Sequence, residues 1–359
     1  MKNKLDLKFL ESLCEIPSLS GHEQNIQKLI YGRMEKFADE MQTDVLGNVY
    51  AIKNPEASFK VMIVGHCDEV GFRVNYIDDS GFIFLSADYG ADHRIAPGKR
   101  VTIQTVKGPV VGVIGRKSRA LQQQEERLKA LEITNIWVDI GCSSREEARR
   151  KVNIGDPVMY GSNLAYLEND LVSSRALDDK IGVFIAMETF RLLAAHDLKI
   201  GLYCVSSAQE EAGMRGAQTA AYRIKPQCGI VIDVSHASDI PGVDPRTMGK
   251  KKLGEGPVLI RGPNVNENLV RMLHQIARTE NMPIQLISRS KLTGTDAKVI
   301  QVSRAGVATG LIYIPIRYMH LPSEVCSLKD VIFAVELLTK FLINLAAESD
   351  FDPLSGVIT

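Results

Sequence analysis

The sequence lacks several features that would indicate a particular kind of partner or compartment. Its 359 residues carry 43 Lys and Arg against 43 Asp and Glu, so no charge excess favours nucleic acid or a membrane surface. The six cysteines include no C-x-x-C pair, which argues against a zinc knuckle and favours reduced thiols. Aromatic residues make up only 6%, with a single Trp, so platforms for stacking sugars are few. The composition predicts an ordinary globular enzyme or binding protein with a sizeable core.

Long uninterrupted apolar runs are also missing. The N-terminal stretch has a basic start, but Asp6, Glu11 and Glu15 interrupt any apolar centre of a signal peptide. The stretch VIFAVELLTKFLINLAA contains Glu336 and Lys340 and is short of a membrane span. These features predict a cytoplasmic protein without membrane or nucleic-acid partners.

What is present is an α/β rhythm broken once by a β-rich segment. Apolar strand patterns such as VMIV and GIVI alternate with helical patterns, which predicts a mixed, mostly parallel sheet sandwiched by helices. Between about residues 71 and 164, short β-branched runs are separated by turn signals, followed by a charged helical pattern over 121–132. We therefore predict an α/β domain formed by residues 1–70 and 165–359, interrupted by a small inserted β-rich domain over 71–164.

Candidate functional residues begin at the sequence GHCDEVGF, which follows the apolar run VMIV. Side chains alternate in a strand, so His66 and Asp68 are expected on one face at its C-terminal end. Open α/β sheets bind their ligands at such ends. A lone His-x-Asp is more often a hydrogen-bonded surface pair, so further residues are needed to establish a site.

Further acidic residues and a histidine fall at comparable positions. Four of these residues have an ordinary alternative role. Asp178 and Asp179 could cap a helix, Asp233 could be a capped or solvated residue at a strand end, and His320 could be a packing residue. Carboxylates and a histidine at the ends of several strands nevertheless predict a joint metal site, because imidazole nitrogen and carboxylate oxygen suit zinc and similar divalent ions. The residues in this set are Asp178, Asp179, Glu210, Glu211, Asp233 and His320.

An ordered series of motifs resembles the M42 family of metallo-aminopeptidases, which includes tetrahedral and glutamyl aminopeptidases. The series is GHCDEVGF, SSRALDDKIG, SAQEEAGMRGA, VIDVSHA, GTDA and RYMHLPSEV, and it extends over nearly the whole chain. The resemblance implies a metallo-exopeptidase fold, with 71–164 as a dimerisation domain. It also implies two divalent ions per subunit, zinc by preference, with cobalt or manganese as options.

The resemblance implies a role for each matching residue. His66 and Asp233 would bind one ion, Glu211 and His320 the other, and Asp178 would bridge them. Asp68 would orient His66 through a hydrogen bond, and Glu210 would act as general base and acid. A cis peptide between Asp178 and Asp179 is also implied. The other histidines match no ligand position and are interpreted as structural: His22, His93, His196, His236 and His274.

The implied substrates are peptides with a free N-terminus, whose amino group would ligate one ion. Thr295 and Asp296, in LTGTDAKVIQ, resemble residues on the substrate side of the family's site, although a turn with a capped helix start explains them equally well. Homo-oligomers are implied as well, with dimers assembling into a hollow dodecamer. The preferred N-terminal residue remains open.

The chain departs from the family in two stretches, and rival functions remain. RKSRALQQQEE stands where proline- and histidine-containing sequences are frequent, and HLPSE stands where HSP-type sequences are common. The alternatives are a related di-metal deacylase or carboxypeptidase, a glycoside hydrolase and a non-catalytic shell. Adjacent Glu210 and Glu211 do not supply the separated carboxyl pair of a glycosidase, and a shell would not need all these ligand positions.

Overall fold

The computed structural model describes residues 5–161, 163–346 and 349–355. Helices occur in both halves of the chain. The outermost residues of the predicted α/β domain, 1–4 and 356–359, therefore lie outside the described part. Among the described residues, no helix is long and apolar enough to span a membrane. The helices are α1 Leu7–Glu15, α2 Gln24–Met34, α3 Gln124–Leu128, α4 Arg145–Arg149, α5 Leu177–Leu193, α6 Arg215–Ile224, α7 Pro245–Met248, α8 Glu267–Thr279, α9 Ala297–Ile300 and α10 Leu328–Ile343.

The strands form one large open sheet and one small closed barrel. In chain order they are β1 Glu40–Thr43, β2 Val49–Lys53, β3 Lys60–His66, β4 Phe72–Ile77, β5 Ile83–Ala87, β6 Arg100–Thr105, β7 Gly108–Arg116, β8 Ile136–Asp139, β9 Pro157–Tyr160, β10 Ala165–Tyr166, β11 Leu171–Ser174, β12 Gly201–Ser207, β13 Cys228–His236, β14 Val258–Arg261, β15 Gln285–Ser288, β16 Ala308–Arg317 and β17 Glu324–Ser327.

The centre of the large sheet consists of four parallel strands in the order β12, β3, β13, β16. These strands are buried along almost their whole length, because their apolar residues face helices on both sides of the sheet. One layer contains α1, α5 and α10, while α6 and α9 lie against the other face. The predicted mixed α/β sheet between helices is confirmed. Among the named strands of the large sheet, the other parallel pair is β14 with β15, and the outer strands pair antiparallel.

The barrel has the strand order β4, β5, β8, β7, β6, β9. Its interior is filled by alternate apolar side chains from these strands, including Phe72, whose ring meets Tyr160 edge to face at 5.7 Å between centroids. The predicted charged helix over 121–132 is wrong in length, since the α-helix in this segment covers Gln124–Leu128. Leu121 and Leu128 are exposed and Leu131 alone of the three leucines packs against the barrel core, so the segment lacks the continuous apolar face that would stabilise a longer helix.

Candidate metal centre

The four parallel central strands bring the predicted residues to one edge of the sheet. His66 is the last residue of β3, and Asp233 lies near the end of β13. Glu210 follows β12 and His320 follows β16, each after a short loop. Because parallel strands end at the same edge, these side chains converge although more than 250 residues separate the first from the last.

Two groups of potential ligands share one carboxylate. His66, Asp178 and Asp233 form the first group and Asp178, Glu211 and His320 the second, with candidate ligand atoms in each group within 4.8 Å of one another. Nε2 of His66 lies 3.2 Å from Oδ1 of Asp178, and Nε2 of His320 lies 3.1 Å from its Oδ2. Asp178 therefore offers one oxygen to each histidine, which is the arrangement of a bridging ligand.

The backbone at the start of α5 explains how Asp178 becomes available. Asp178 and Asp179 have non-helical dihedral angles and are joined by a cis peptide bond. Asp179 accepts hydrogen bonds from the main-chain N–H of Gly182 at 3.0 Å and of His66 at 3.2 Å. Asp179 thus performs the helix-capping task that the sequence allowed for either residue, while Asp178 faces the two histidines.

Asp68 contacts His66, but not by the strand geometry that the sequence suggested. The expectation that both residues share a face of one strand is wrong, because β3 ends at His66. Oδ1 of Asp68 lies 3.4 Å from Nδ1 of His66, and the main-chain carbonyl of Asp68 lies 3.2 Å from the same nitrogen. The Asp68 carboxylate also accepts the N–H groups of Glu210 at 2.9 Å and Glu211 at 3.1 Å. Asp68 therefore fixes the backbone of both glutamates as well as the imidazole.

Two supporting residues were missed at the sequence level. Glu324 accepts the main-chain N–H of His320 at 2.7 Å and that of Asp178 at 3.0 Å, so one carboxylate holds both sides of the second ligand group. Glu23 accepts the N–H of Gln209 at 3.2 Å, next to the two N–H groups that Asp68 accepts. Glu324 lies in the motif RYMHLPSEV, and its place in this motif was the sequence signal that could have identified it as a site residue.

The electrostatics of the centre favour a cation. Burial raises the pKa of Glu210 to about 11 and that of Asp233 well above its usual range. Burial alone would lower the pKa of His66, but hydrogen bonds to Asp178 and Asp68 outweigh it and raise the pKa. Oε1 of Glu210 is buried and has no hydrogen-bond partner among the described residues. Burying so many carboxylates costs free energy unless positive charge is close by. The imidazole nitrogens and carboxylate oxygens of the centre are suitable ligands for divalent ions.

The barrel contributes one wall of the centre. Gly90, in the loop between β5 and β6, has a φ of +86°, and a Cβ at this position would lie 2.7 Å from Nδ1 of His320. Ala91 and Tyr160 line the same small pocket as Asp178, Glu211 and His320. The absence of a side chain at Gly90 therefore sets the space in which the His320 ring lies.

We predict that Gly90→Ala lowers activity by about tenfold, because the new methyl group displaces the His320 ring. Gly98→Ala is the matched control, since Gly98 has a similar φ of +84° but a Cβ there would meet no atom within 4 Å. Both variants should lose about 1 kcal/mol of stability through backbone strain. Thermal melts and kcat/KM measured side by side check this, and equal activities of the two variants would contradict it.

Thr295 and Asp296 lie close to the centre, before α9. Asp296 is buried, accepts a hydrogen bond from Oγ of Ser207 at 2.8 Å and makes no capping hydrogen bond to α9. Burial raises the pKa of Asp296 to about 6, and the charge of His66 counteracts this rise. Oγ1 of Thr295 lies 2.8 Å from Oγ1 of Thr293. The helix-cap alternative for Asp296 thus finds no support in its contacts.

The chain is similar to known proteins in both sequence and structure. The family model described as M42 glutamyl aminopeptidase matches residues 47–337. A lysyl aminopeptidase from Pyrococcus furiosus is 34% identical, over 97% of this chain and all of the relative. The crystal structure of a TET aminopeptidase from a marine sediment Thaumarchaeota archaeon is 32% identical, with a TM-score of 0.90 over 97% of this chain and 98% of that one.

A second solved structure bears on assembly. The Pyrococcus horikoshii TET1 peptidase, described as assembling into a tetrahedron or a large octahedral shell, is 28% identical. Its TM-score is 0.83, over 94% of this chain and 99% of that chain. The similarity thus extends over the sheet and the barrel together.

Proposed function

The chain belongs to the M42 family of aminopeptidases, and we propose that it removes N-terminal residues from peptides with the help of bound metal ions. The observation that carries the proposal is the pair of ligand groups that share Asp178. A shared carboxylate is the feature expected of a centre with two ions.

We propose that His66 and Asp233 hold one ion, that Glu211 and His320 hold the other, and that Asp178 bridges them. The imidazole and carboxylate donors favour zinc, with cobalt or manganese as alternatives. Two such ions, when bound, would lower the pKa of a water molecule and polarise the scissile carbonyl group. Asp68 and Glu324 keep these ligands in place through the hydrogen bonds described above.

Glu210 is the proposed general base and acid. Its Oε2 lies 3.9 Å from Nε2 of His66. The carboxylate is therefore next to the first ligand group but farther from this nitrogen than Asp178 is. In this position Glu210 can take a proton from the attacking water and deliver it to the nitrogen of the leaving amine. The hydrogen bond from its N–H to Asp68 fixes the loop that carries it.

The substrate is proposed to be a peptide with a free N-terminus, bound so that its amino group reaches the metal centre. Thr295 and Asp296 are proposed to lie on the substrate side, because both are buried and Asp296 accepts a hydrogen bond from Ser207, the last residue of β12. The pocket wall from the barrel limits the space on the His320 side.

We propose that residues 71–164 form a dimerisation domain and that residues 1–70 and 165–359 form the catalytic domain. The closed barrel between Phe72 and Tyr160 supports this division. The structural relatives support a homo-oligomer, and a dodecamer built from dimers is the proposed form. Light scattering of the full chain measures that mass directly.

The test uses the metal-reconstituted protein with leucine anilide and N-acetyl-leucine anilide. An aminopeptidase hydrolyses only the free-amine substrate, since the acetyl group removes the charged amine that reaches the centre. Hydrolysis of the acetylated substrate at a similar or higher rate would favour a deacylase and contradict the proposal. A C-terminally blocked peptide, Leu-Gly-amide, separates the aminopeptidase from a carboxypeptidase, which requires a free carboxylate at the other end.

A further inference from the structure

A cavity apart from the metal centre lies between helix α2 and the turn that joins β1 to β2. Its volume is about 550 Å³, within the range of roughly 300–1,000 Å³ that is typical of small-molecule sites. Glu23, Gln27 and Lys28 line one side of it, and Leu46 and Val49 line the other. None of the proposed metal ligands is among its lining residues, so the cavity is a separate site.

Gln27 places an unused hydrogen-bond acceptor at this cavity. Its side chain is only 6% exposed, and its Nε2 donates to the main-chain carbonyl of Ser206 at 2.9 Å. Because a carbonyl can only accept, this contact fixes which end of the amide is the nitrogen. The opposite end, Oε1, is buried and accepts no hydrogen bond from any described residue. An unpaired buried acceptor is unfavourable, so a donor bound in the cavity would stabilise this side chain.

Two charged residues at the cavity complement a ligand that carries both signs of charge. Glu23 is buried, and the N–H groups of Gly21 at 2.7 Å and Gln209 at 3.2 Å both donate to its Oε1. Its Oε2 can therefore receive a further donor. Lys28 lines the same cavity and forms no ion pair within the part of the chain that the structure describes. A ligand with an ammonium group and a carboxylate would pair with both residues.

The rest of the lining is suited to an apolar group. Leu46 and Val49 line the cavity opposite α2, and the ring of Tyr31 lines it from α2. Burying an aliphatic side chain against these residues is favourable. Gly32 leaves room for such a group, because a Cβ at this position would meet no atom within 4 Å. An α-amino acid with an aliphatic side chain carries the ammonium group, the carboxylate and the apolar group together.

The walls of the cavity also hold the segment that leads to Glu210. Two of the three hydrogen bonds are those of Gln27 and Glu23 described above. In the third, Oδ1 of Asn48 accepts the main-chain N–H of Ala208 at 2.9 Å. Together they fix residues 206–209, directly before Glu210. A ligand that draws the Glu23 carboxylate towards the cavity therefore weakens the support of the loop that carries Glu210.

We propose that the cavity binds a free α-amino acid with an aliphatic side chain, such as leucine, and that its occupation slows the enzyme. The ammonium group would lie between Glu23 and Oε1 of Gln27, and the carboxylate would face Lys28. Such an amino acid is a product of the reaction proposed above, so the regulatory role rests on the aminopeptidase function. The binding of the amino acid does not rest on it.

Binding is tested by calorimetry of the metal-loaded full chain titrated with leucine. Gly32→Leu fills the cavity and suits the helix, so it should remove one leucine-binding event while leaving any binding at the metal centre. Gly32→Ala is the matched control, because one methyl group leaves most of the cavity open, and it should bind leucine like the wild type. Identical titrations of Gly32→Leu and the wild type would show that the cavity holds water only and would overturn the proposal.

The class of ligand is tested with a second pair of variants. Lys28→Met should weaken leucine binding by about tenfold, because it removes one charge-assisted contact. It should leave the binding of 3-methylbutylamine unchanged, since this amine has no carboxylate. Lys36→Met should alter neither ligand, because Lys36 is exposed after α2 and does not line the cavity. Equal effects of Lys28→Met on both ligands would overturn the assigned class.

The regulatory effect is measured as kcat at saturating leucyl anilide, with and without saturating leucine. The wild-type kcat should fall by at least about fivefold, whereas Gly32→Leu should keep its kcat. Equal decreases in both proteins would place the inhibition at the metal centre and overturn the regulatory role. If no free-amine substrate is hydrolysed, the aminopeptidase function fails, while calorimetry still decides whether the cavity binds leucine.

Discussion

Replacing Glu210 by glutamine is expected to lower kcat by about a thousandfold while both ions stay bound. The amide has nearly the same shape and keeps the N–H that donates to Asp68 at 2.9 Å, but it cannot accept and return a proton. Steady-state kinetics with leucine anilide, together with the metal content of the same sample, gives the comparison. KM should change little, because Glu210 acts on the proton rather than on substrate binding.

Glu255→Gln is a suitable control for the Glu210 variant. Glu255 is exposed and pairs only with lysines of its own loop among the described residues, so the same chemical change there should leave kcat unaltered. Full activity of Glu210→Gln with normal metal content would show that another group moves the proton. Loss of metal from the variant would instead make Glu210 a ligand.

Replacing Asp178 by asparagine is expected to weaken both ions, by more than about a hundredfold each, and to abolish activity. Its two oxygens face different histidines, at 3.2 and 3.1 Å, so removing its charge affects both ligand groups. The main-chain N–H that donates to Glu324 is unchanged, which limits the effect to the carboxylate. Metal analysis after dialysis against a weak chelator measures the loss.

Glu211→Gln is the comparison that distinguishes a bridge from an ordinary ligand. Glu211 belongs to one ligand group only, at 3.3 Å between its Oε1 and Nε2 of His320. It should lose one ion and retain the other. If the Asp178 variant also retained one tightly bound ion, Asp178 would not be a bridge.

Much of the site could be anticipated because its residues follow apolar strands. The first charged residue after a buried run, as in Asp233, has to lie near the end of the sheet, and parallel strands bring such ends together. The barrel strands were equally visible, since short β-branched runs alternated with turn signals. Patterns of this kind can be recognised in a sequence because they depend on residues that are close together along the chain.

The remaining features depend on contacts between distant segments. Glu324 supports Asp178 across 146 residues, and Glu23 supports Gln209 across 186, so neither contact follows from residues that are close together in the sequence. Gly90 is informative only because the barrel places it against His320.

The most direct test of a shared two-ion centre is anomalous X-ray diffraction from crystals grown with zinc. We predict two anomalous peaks about 3.5 Å apart, one between His66 and Asp233 and one between Glu211 and His320, with Asp178 contacting both. A single peak, or two peaks that do not share Asp178, would contradict a shared centre.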